Sequence, residues 1–266
     1  MGVTAIFGAG VMGEALLSGL LRGDYSSDNL IVAERRPDRA AELTEKYKLK
    51  VVSNTEAARL ADTLVLVVKP QDMGALLQEI AGEVKADTLV ISLAAGITTT
   101  FLESLLPAGA AVVRVMPNTP ALVDEGMSAL SAGAHCTAEG LERASTLLAA
   151  VGKVVTVPEK YQDAVTAISG SGPAYIFYVV EAMIEAGVVL GLPRTTAQEL
   201  VVQTVFGAAT MLRETGEHPT VLRENVTSPA GTTAAALREL DDHKVRAAFI
   251  TAMEAARDRS SELAAG

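Results

Sequence analysis

The chain has 266 residues, and 22 Lys and Arg against 32 Asp and Glu leave a net charge of −10. Such acidity repels a phosphate backbone and speaks against nucleic-acid partners. A single cysteine, Cys136, excludes an intrachain disulfide and a thiolate zinc cluster, and the three scattered histidines make no metal site.

Short apolar runs and helical patterns alternate through the first part of the chain. Strands are expected at Val3–Phe7, Leu30–Ala33, Val51–Ser53, Leu64–Val68, Leu89–Leu93 and Val112–Val115. Their continuous apolarity fits parallel strands covered on both faces. Helices are expected at Gly13–Arg22, Asp38–Lys46, Thr55–Leu60 and Gln71–Val84, giving βαβ units and a parallel sheet. Met127–Leu130 and Val154–Val157 extend the sheet at one edge. The first segment enters its strand with no basic leader, and Leu64–Val68 is too short to cross a bilayer, so a cytoplasmic protein without a membrane partner is expected.

Beyond about residue 160 helix periodicity takes over, with helices expected at Pro173–Leu190, Thr195–Arg213, Thr232–Leu240 and Lys244–Leu263. Pro173–Leu190 is apolar around most of its circumference, which places it in a core or between subunits. The expected fold is α/β, a Rossmann-type dinucleotide-binding domain over residues 1–160 followed by an all-helical domain over 161–266.

Gly8-Ala9-Gly10-Val11-Met12-Gly13 has the spacing G-x-G-x-x-G between the first strand and the first helix. The glycines serve a tight turn, close approach of a pyrophosphate and close helix–strand packing, with the phosphates on the helix N-terminus. Glu34, 21 residues past Gly13, suits the ribose hydroxyls of NAD. The neighbouring Arg35 suits the 2′-phosphate of NADP. The two signals conflict, and the reading leans to NADPH with NADH as the alternative. Further strand ends facing this loop carry Val68-Lys69-Pro70, Ala94-Ala95-Gly96 and Met116-Pro117-Asn118. Small residues at the second of these leave room for a flat ring, and Lys69 reads as a solvated strand-end lysine rather than a proton-transfer group.

In the helical half, Ser169–Tyr175 and Thr227–Thr233 are rich in Gly, Ser and Thr at helix starts. Both are able to cap helices or to offer N–H groups and hydroxyls to a carboxylate. No lysine occurs between Lys160 and Lys244. An alcohol substrate needs a base as hydride leaves, whereas a protonated imine is already an electrophile and needs positioning and a donor. The residue set therefore favours imine reduction over alcohol oxidation.

With these motifs the chain resembles the pyrroline-5-carboxylate reductases over essentially its whole length. The resemblance rests on Gly8–Gly13, Val68-Lys69-Pro70, Ser92–Gly96, Arg114–Pro120, Ser169–Tyr175 and, most specifically, Thr227–Thr233 with the following Ala234–Leu237. It implies reduction of 1-pyrroline-5-carboxylate to proline with NAD(P)H. Ala9, Val11 and Met12 would line the pyrophosphate turn, Arg35 the 2′-phosphate and Asn54 the adenine ribose. Val68, Lys69, Ala95 and Asn225 would lie by the nicotinamide half. Thr233 would hydrogen-bond the pyrroline nitrogen, and Ser228 with the Gly231, Thr232 and Thr233 backbone would hold the carboxylate. The family pairs through its helical domain into homodimers, often assembled into decamers. One departure is Ala230, where the family carries glycine; alanine fits if φ there is negative. The alternatives are a reductase of another cyclic imine and a non-catalytic NADP-binding sensor, which would need the glycine loop but not Thr227–Thr233.

Overall fold

The computed structural model describes residues 2–23 and 25–265. All eight expected strands form, as β1 (Thr4–Phe7), β2 (Leu30–Ala33), β3 (Lys50–Val52), β4 (Thr63–Leu66), β5 (Leu89–Ser92), β6 (Ala111–Met116), β7 (Gly126–Ala132) and β8 (Gly152–Thr156). They make one sheet in the order β3-β2-β1-β4-β5-β6-β7-β8. Six strands run parallel; β7 then pairs antiparallel with β6, in the register Arg114↔Ser131, and parallel with β8. The expected parallel sheet is thus a mixed one at this edge. Chain reversal through the short turn after β6 leaves too few residues for a crossover, and a parallel neighbour needs a dozen or more.

Alternation along each strand decides the two sides of the core. Ile6, Val32, Val65, Ile91 and Val113 face one way, onto α1 (Val11–Arg22), α2 (Pro37–Tyr47) and α6 (Ala138–Ala149). Ala5, Phe7, Ile31, Leu64, Leu66 and Val90 face the other, onto α3 (Asn54–Leu60), α4 (Pro70–Ile80) and α5 (Thr99–Leu105). Pro37 and Pro70 start their helices, where a missing N–H costs nothing. The helix expected over Gln71–Val84 stops at Ile80 and continues as a 3₁₀ turn over Ala81–Glu83, where Gly82 disfavours a further α turn. Two helices unmarked by the apolar pattern, α5 and α6, begin at Thr98 and Thr137, whose hydroxyls accept from Phe101 N and Gly140 N, each at 3.1 Å.

After β8 come α7 (Gln162–Val165) and a π-helical turn over Thr166–Gly170, closed by Ser171 N donating to Thr166 O at 2.8 Å. The remaining helices are α8 (Gly172–Val189), α9 (Arg194–Thr215), α10 (Pro219–Asn225), α11 (Thr232–Asp242) and α12 (Val245–Ala265). The chain divides into two compact units, one running to Ser171 and taking in the residues from Ala256 onward, the other Gly172–Ala255. This division differs from the expected boundary at 160: the segment carrying the π turn stays with the sheet, and so does the end of α12. Ser260 explains the latter in part, since its Oγ donates to Asp163 Oδ1 at 2.7 Å.

In the second unit α8 has no buried residue; Phe177 is 66% and Tyr178 74% exposed. Of the two places a helix without a wet face can occupy, the core of its own chain is therefore not the one. By length and composition alone, residues 159–189 are also apolar enough to cross a membrane.

Candidate active site

The glycine loop lies at the carboxyl end of β1, where the sheet order reverses between β2 on one side and β4 on the other. Open α/β sheets bind ligands at this switch point. Gly8 has φ +90°, a conformation that disfavours any side chain, and its N–H donates to Ala33 O at 3.1 Å. A Cβ on Gly13 would collide with Gly8 O, so the third glycine is what lets α1 start this close to β1. No side chain caps Gly10 at the start of α1, and Gly10 and Val11 are exposed, so the first-turn N–H groups are open to an anion. These residues fit the pyrophosphate of a dinucleotide. Ala9 is buried, and its carbonyl accepts from Arg39 Nε at 3.1 Å, which fixes the loop against α2.

The charged residues after β2 separate into two pairs. The Glu34 side chain is 7% exposed and accepts from Arg36, from its N–H at 3.0 Å and its Nε at 3.1 Å. Burial pushes this carboxyl up, but the bonds and charge of Arg36 outweigh it and hold Glu34 below the ordinary carboxylate range. Arg35 points elsewhere, into an ion pair with Glu79 on α4. Asn54, buried at the start of α3, donates its amide to the same Glu79 oxygen at 2.9 Å. Two concavities adjoin here. One of about 180 Å³ is lined by Gly8, Glu34, Arg35, Asn54 and Val68, the other of about 560 Å³ by Glu34, Arg35, Ser53, Asn54 and Glu79. The structure thus brings Gly8, Glu34, Arg35, Asn54 and Val68 together around one depression. Lys69 and Pro70, both exposed, follow β4, and exposed Ala95 follows β5, next to Gly96 at φ +77°.

Other polar side chains stiffen the strand ends. Asn118 accepts from Met127 N at 2.8 Å and donates to Ser169 O and Oγ at 3.2 and 3.3 Å, tying the end of β6 to the π turn. Arg114 is 6% exposed and donates to Glu159 Oε1 at 3.1 Å, which also accepts from Thr99 N at 2.8 Å. Burial raises the Glu159 carboxyl, and the Thr99 and Arg114 bonds together outweigh it and lower it. Ser169, in the segment read as able either to cap a helix or to face a carboxylate, is engaged in the Asn118 clamp.

In the second unit, Thr227 donates its hydroxyl to Arg223 O at 2.6 Å, and Gly231 N donates to Ser228 O at 3.0 Å. A tight turn results, with Ser228 exposed and Thr233 half-buried. No side chain caps Gly231 at the start of α11, so the N–H groups of its first turn are again open. Ala230 has φ +59°, so the position does need the left-handed conformation and the alanine stands in strain. Asn225 ends α10 and is exposed. Glu79 and Asn118 were not singled out by sequence reasoning. Glu79 carried no signal, being one of two acids on α4 with no motif around it; Asn118 lay inside a turn segment whose side-chain bonds no spacing reveals.

A glycine loop at the switch point of a Rossmann-type sheet, followed by a helical unit with its own anion-ready turn, defines a two-domain nicotinamide-dependent oxidoreductase. A family model described as pyrroline-5-carboxylate reductase dimerisation matches residues 159–263. One described as NADP oxidoreductase, coenzyme F420-dependent, matches residues 3–96. The chain is 49% identical over 267 residues to a pyrroline-5-carboxylate reductase of Corynebacterium melassecola, covering 99% of each. It is similar to the solved pyrroline-5-carboxylate reductase of Coxiella burnetii, with a TM-score of 0.94 and 37% identity over 98% of both chains. The NADP-bound pyrroline carboxylate reductase of Plasmodium falciparum superposes with a TM-score of 0.87 at 31% identity over 98% of both. The chain belongs to the pyrroline-5-carboxylate reductase family.

Proposed function

We propose that the chain reduces 1-pyrroline-5-carboxylate to L-proline with NAD(P)H, the final step of proline biosynthesis. The observation that carries the reading is the 49% identity spanning 99% of a pyrroline-5-carboxylate reductase, which takes in both the glycine loop and the helical unit. Bound NAD(P)H supplies the hydride that adds to C5 of the ring, while a proton on the ring nitrogen completes the amine.

The chain's own residues bind and orient. The open N-terminus of α1 with Gly8, Ala9, Gly10, Val11, Met12 and Gly13 receives the pyrophosphate. Arg35 and Asn54 take the adenosine end, with Glu34 holding Arg36. Val68, Lys69, Pro70 and Ala95 take the nicotinamide half. The uncapped first turn of α11, with Ser228, Gly231, Thr232 and Thr233, holds the substrate carboxylate, and the Thr233 hydroxyl hydrogen-bonds the pyrroline nitrogen, its oxygen accepting from the N–H of the protonated imine. No general base is required, since the protonated imine is reduced rather than an alcohol oxidised.

We further propose that the protein acts in the cytoplasm as a homodimer built through α8 and α9, assembled further into decamers. The partner covers the apolar faces that carry Phe177 and, at 61% exposed, Phe206. Purified protein given 1-pyrroline-5-carboxylate and NADPH, with NADH in parallel, is expected to consume reduced nicotinamide and release proline. A folded protein that binds NADPH but oxidises none overturns the reading in favour of another cyclic imine or a sensor.

A further inference from the structure

We propose that Glu79 limits how strongly this protein prefers a 2′-phosphorylated cofactor, by competing with the phosphate for Arg35 and Asn54. The inference rests on the reading that Arg35 and Asn54 take the adenosine end. One oxygen of Glu79, Oε2, accepts both from the Arg35 guanidinium and from the Asn54 amide at 2.9 Å. Asn54 is 7% exposed, so its amide has exchanged water for this carboxylate. Glu79 also lines the larger depression beside Arg35.

A 2′-phosphate carries roughly two negative charges at neutral pH and seeks the same guanidinium. Reaching it, the phosphate meets a carboxylate already in place and must displace that carboxylate or sit beside it. Either costs NADPH binding free energy that NADH does not lose. A 2′-hydroxyl has the opposite character. It donates, and an ionised carboxylate has about four acceptor sites, so two donors leave room for a third. Arg35 therefore favours NADPH while Glu79 opposes it, and the pair brings the two cofactors closer together than Arg35 alone would. Glu34 does not fill this role, because Arg36 occupies it.

The test is calorimetric binding of NADPH, NADH, 2′,5′-ADP and 5′-AMP to the wild type, Glu79→Gln and Arg35→Ala. Glu79→Gln keeps the size and the acceptor oxygen and removes the charge. It is expected to tighten NADPH and 2′,5′-ADP about tenfold and to change NADH and 5′-AMP by less than about twofold, the gain shrinking as salt is raised. Arg35→Ala is expected to weaken 2′,5′-ADP more than 5′-AMP. If Arg35→Ala does so and Glu79→Gln leaves the ratio of the phosphorylated to the plain ligands unchanged, or lowers it, the role of Glu79 is overturned. If Arg35→Ala leaves 2′,5′-ADP binding as in the wild type, the adenosine site itself is misplaced and the inference falls with it.

Discussion

Ala230 holds a backbone conformation that its own side chain disfavours. At φ +59° the Cβ crowds the neighbouring carbonyl, at a cost of roughly 1–2 kcal/mol that glycine escapes. Ala230→Gly is expected to stabilise the protein by roughly 0.5–1 kcal/mol in chemical denaturation, the relief exceeding the entropy glycine adds to the unfolded chain. A lower midpoint in the variant would show the alanine to be unstrained. Thr233, three residues on, is the test of the chemistry. Thr233→Ala keeps the first turn of α11 and removes the hydroxyl that hydrogen-bonds the ring nitrogen, so kcat is expected to fall about 10–100-fold with the cofactor Kd unchanged. Steady-state kinetics equal to wild type would remove Thr233 from the mechanism. The two residues also differ in legibility. Ser-Pro-Ala-Gly-Thr-Thr was visible as a motif, but whether its alanine sits at positive φ is a property of the closed turn, where Gly231 N reaches Ser228 O.

The helices of the second unit are elements whose sequence and surroundings disagree within one chain. α8 and α9 present aromatic residues to solvent, and exposed contiguous apolar faces of this kind are interaction surfaces. Replacing Phe177 by Asp puts a charge on that face and is expected to shift sedimentation from oligomer toward monomer while the first unit keeps its fold. Retention of the wild-type mass would take α8 out of the interface. A charge also separates this use of the surface from a membrane one, since protein that sediments as a defined oligomer without detergent has covered the face with protein. The elements of the sheet behaved otherwise. Apolar runs marked every strand, most continuously in β1, β2, β4, β5 and β6, which run parallel and are buried on both faces. The π turn at Thr166–Gly170 had no such mark, and the Asn118–Ser169 contact within it joins residues 51 apart, beyond any local period.

The acid sensitivity of the first unit as a whole has one clear contributor in Glu14. Lys46 at 2.8 Å, Arg39 and Tyr47 surround it and, against the opposing effect of burial, lower its pKa from 4.5 to about 2. A depressed carboxylate contributes stability above its unfolded pKa and loses it as pH falls through the folded one. The contribution is therefore complete at pH 7 and is lost progressively below about pH 4.5, to a total of roughly 1–3 kcal/mol. Denaturation midpoints measured between pH 7 and pH 3 are expected to fall more steeply in the wild type than in Glu14→Gln; parallel slopes would show that the cluster stores no such energy.

The sequence by itself determined the Rossmann-type sheet, the glycine loop, the helical half and the family. Those features live in local pattern: apolar period, glycine spacing and a short motif are each written in consecutive residues. Tertiary structure alone decided the antiparallel turn of β7, the division of the chain near Ser171 and the engagement of Ser169 by Asn118. It also decided that Arg35 meets Glu79, 44 residues away, while Glu34 is kept by Arg36. Such pairings depend on which strand ends and helix faces the fold brings side by side, and no local period encodes that distance.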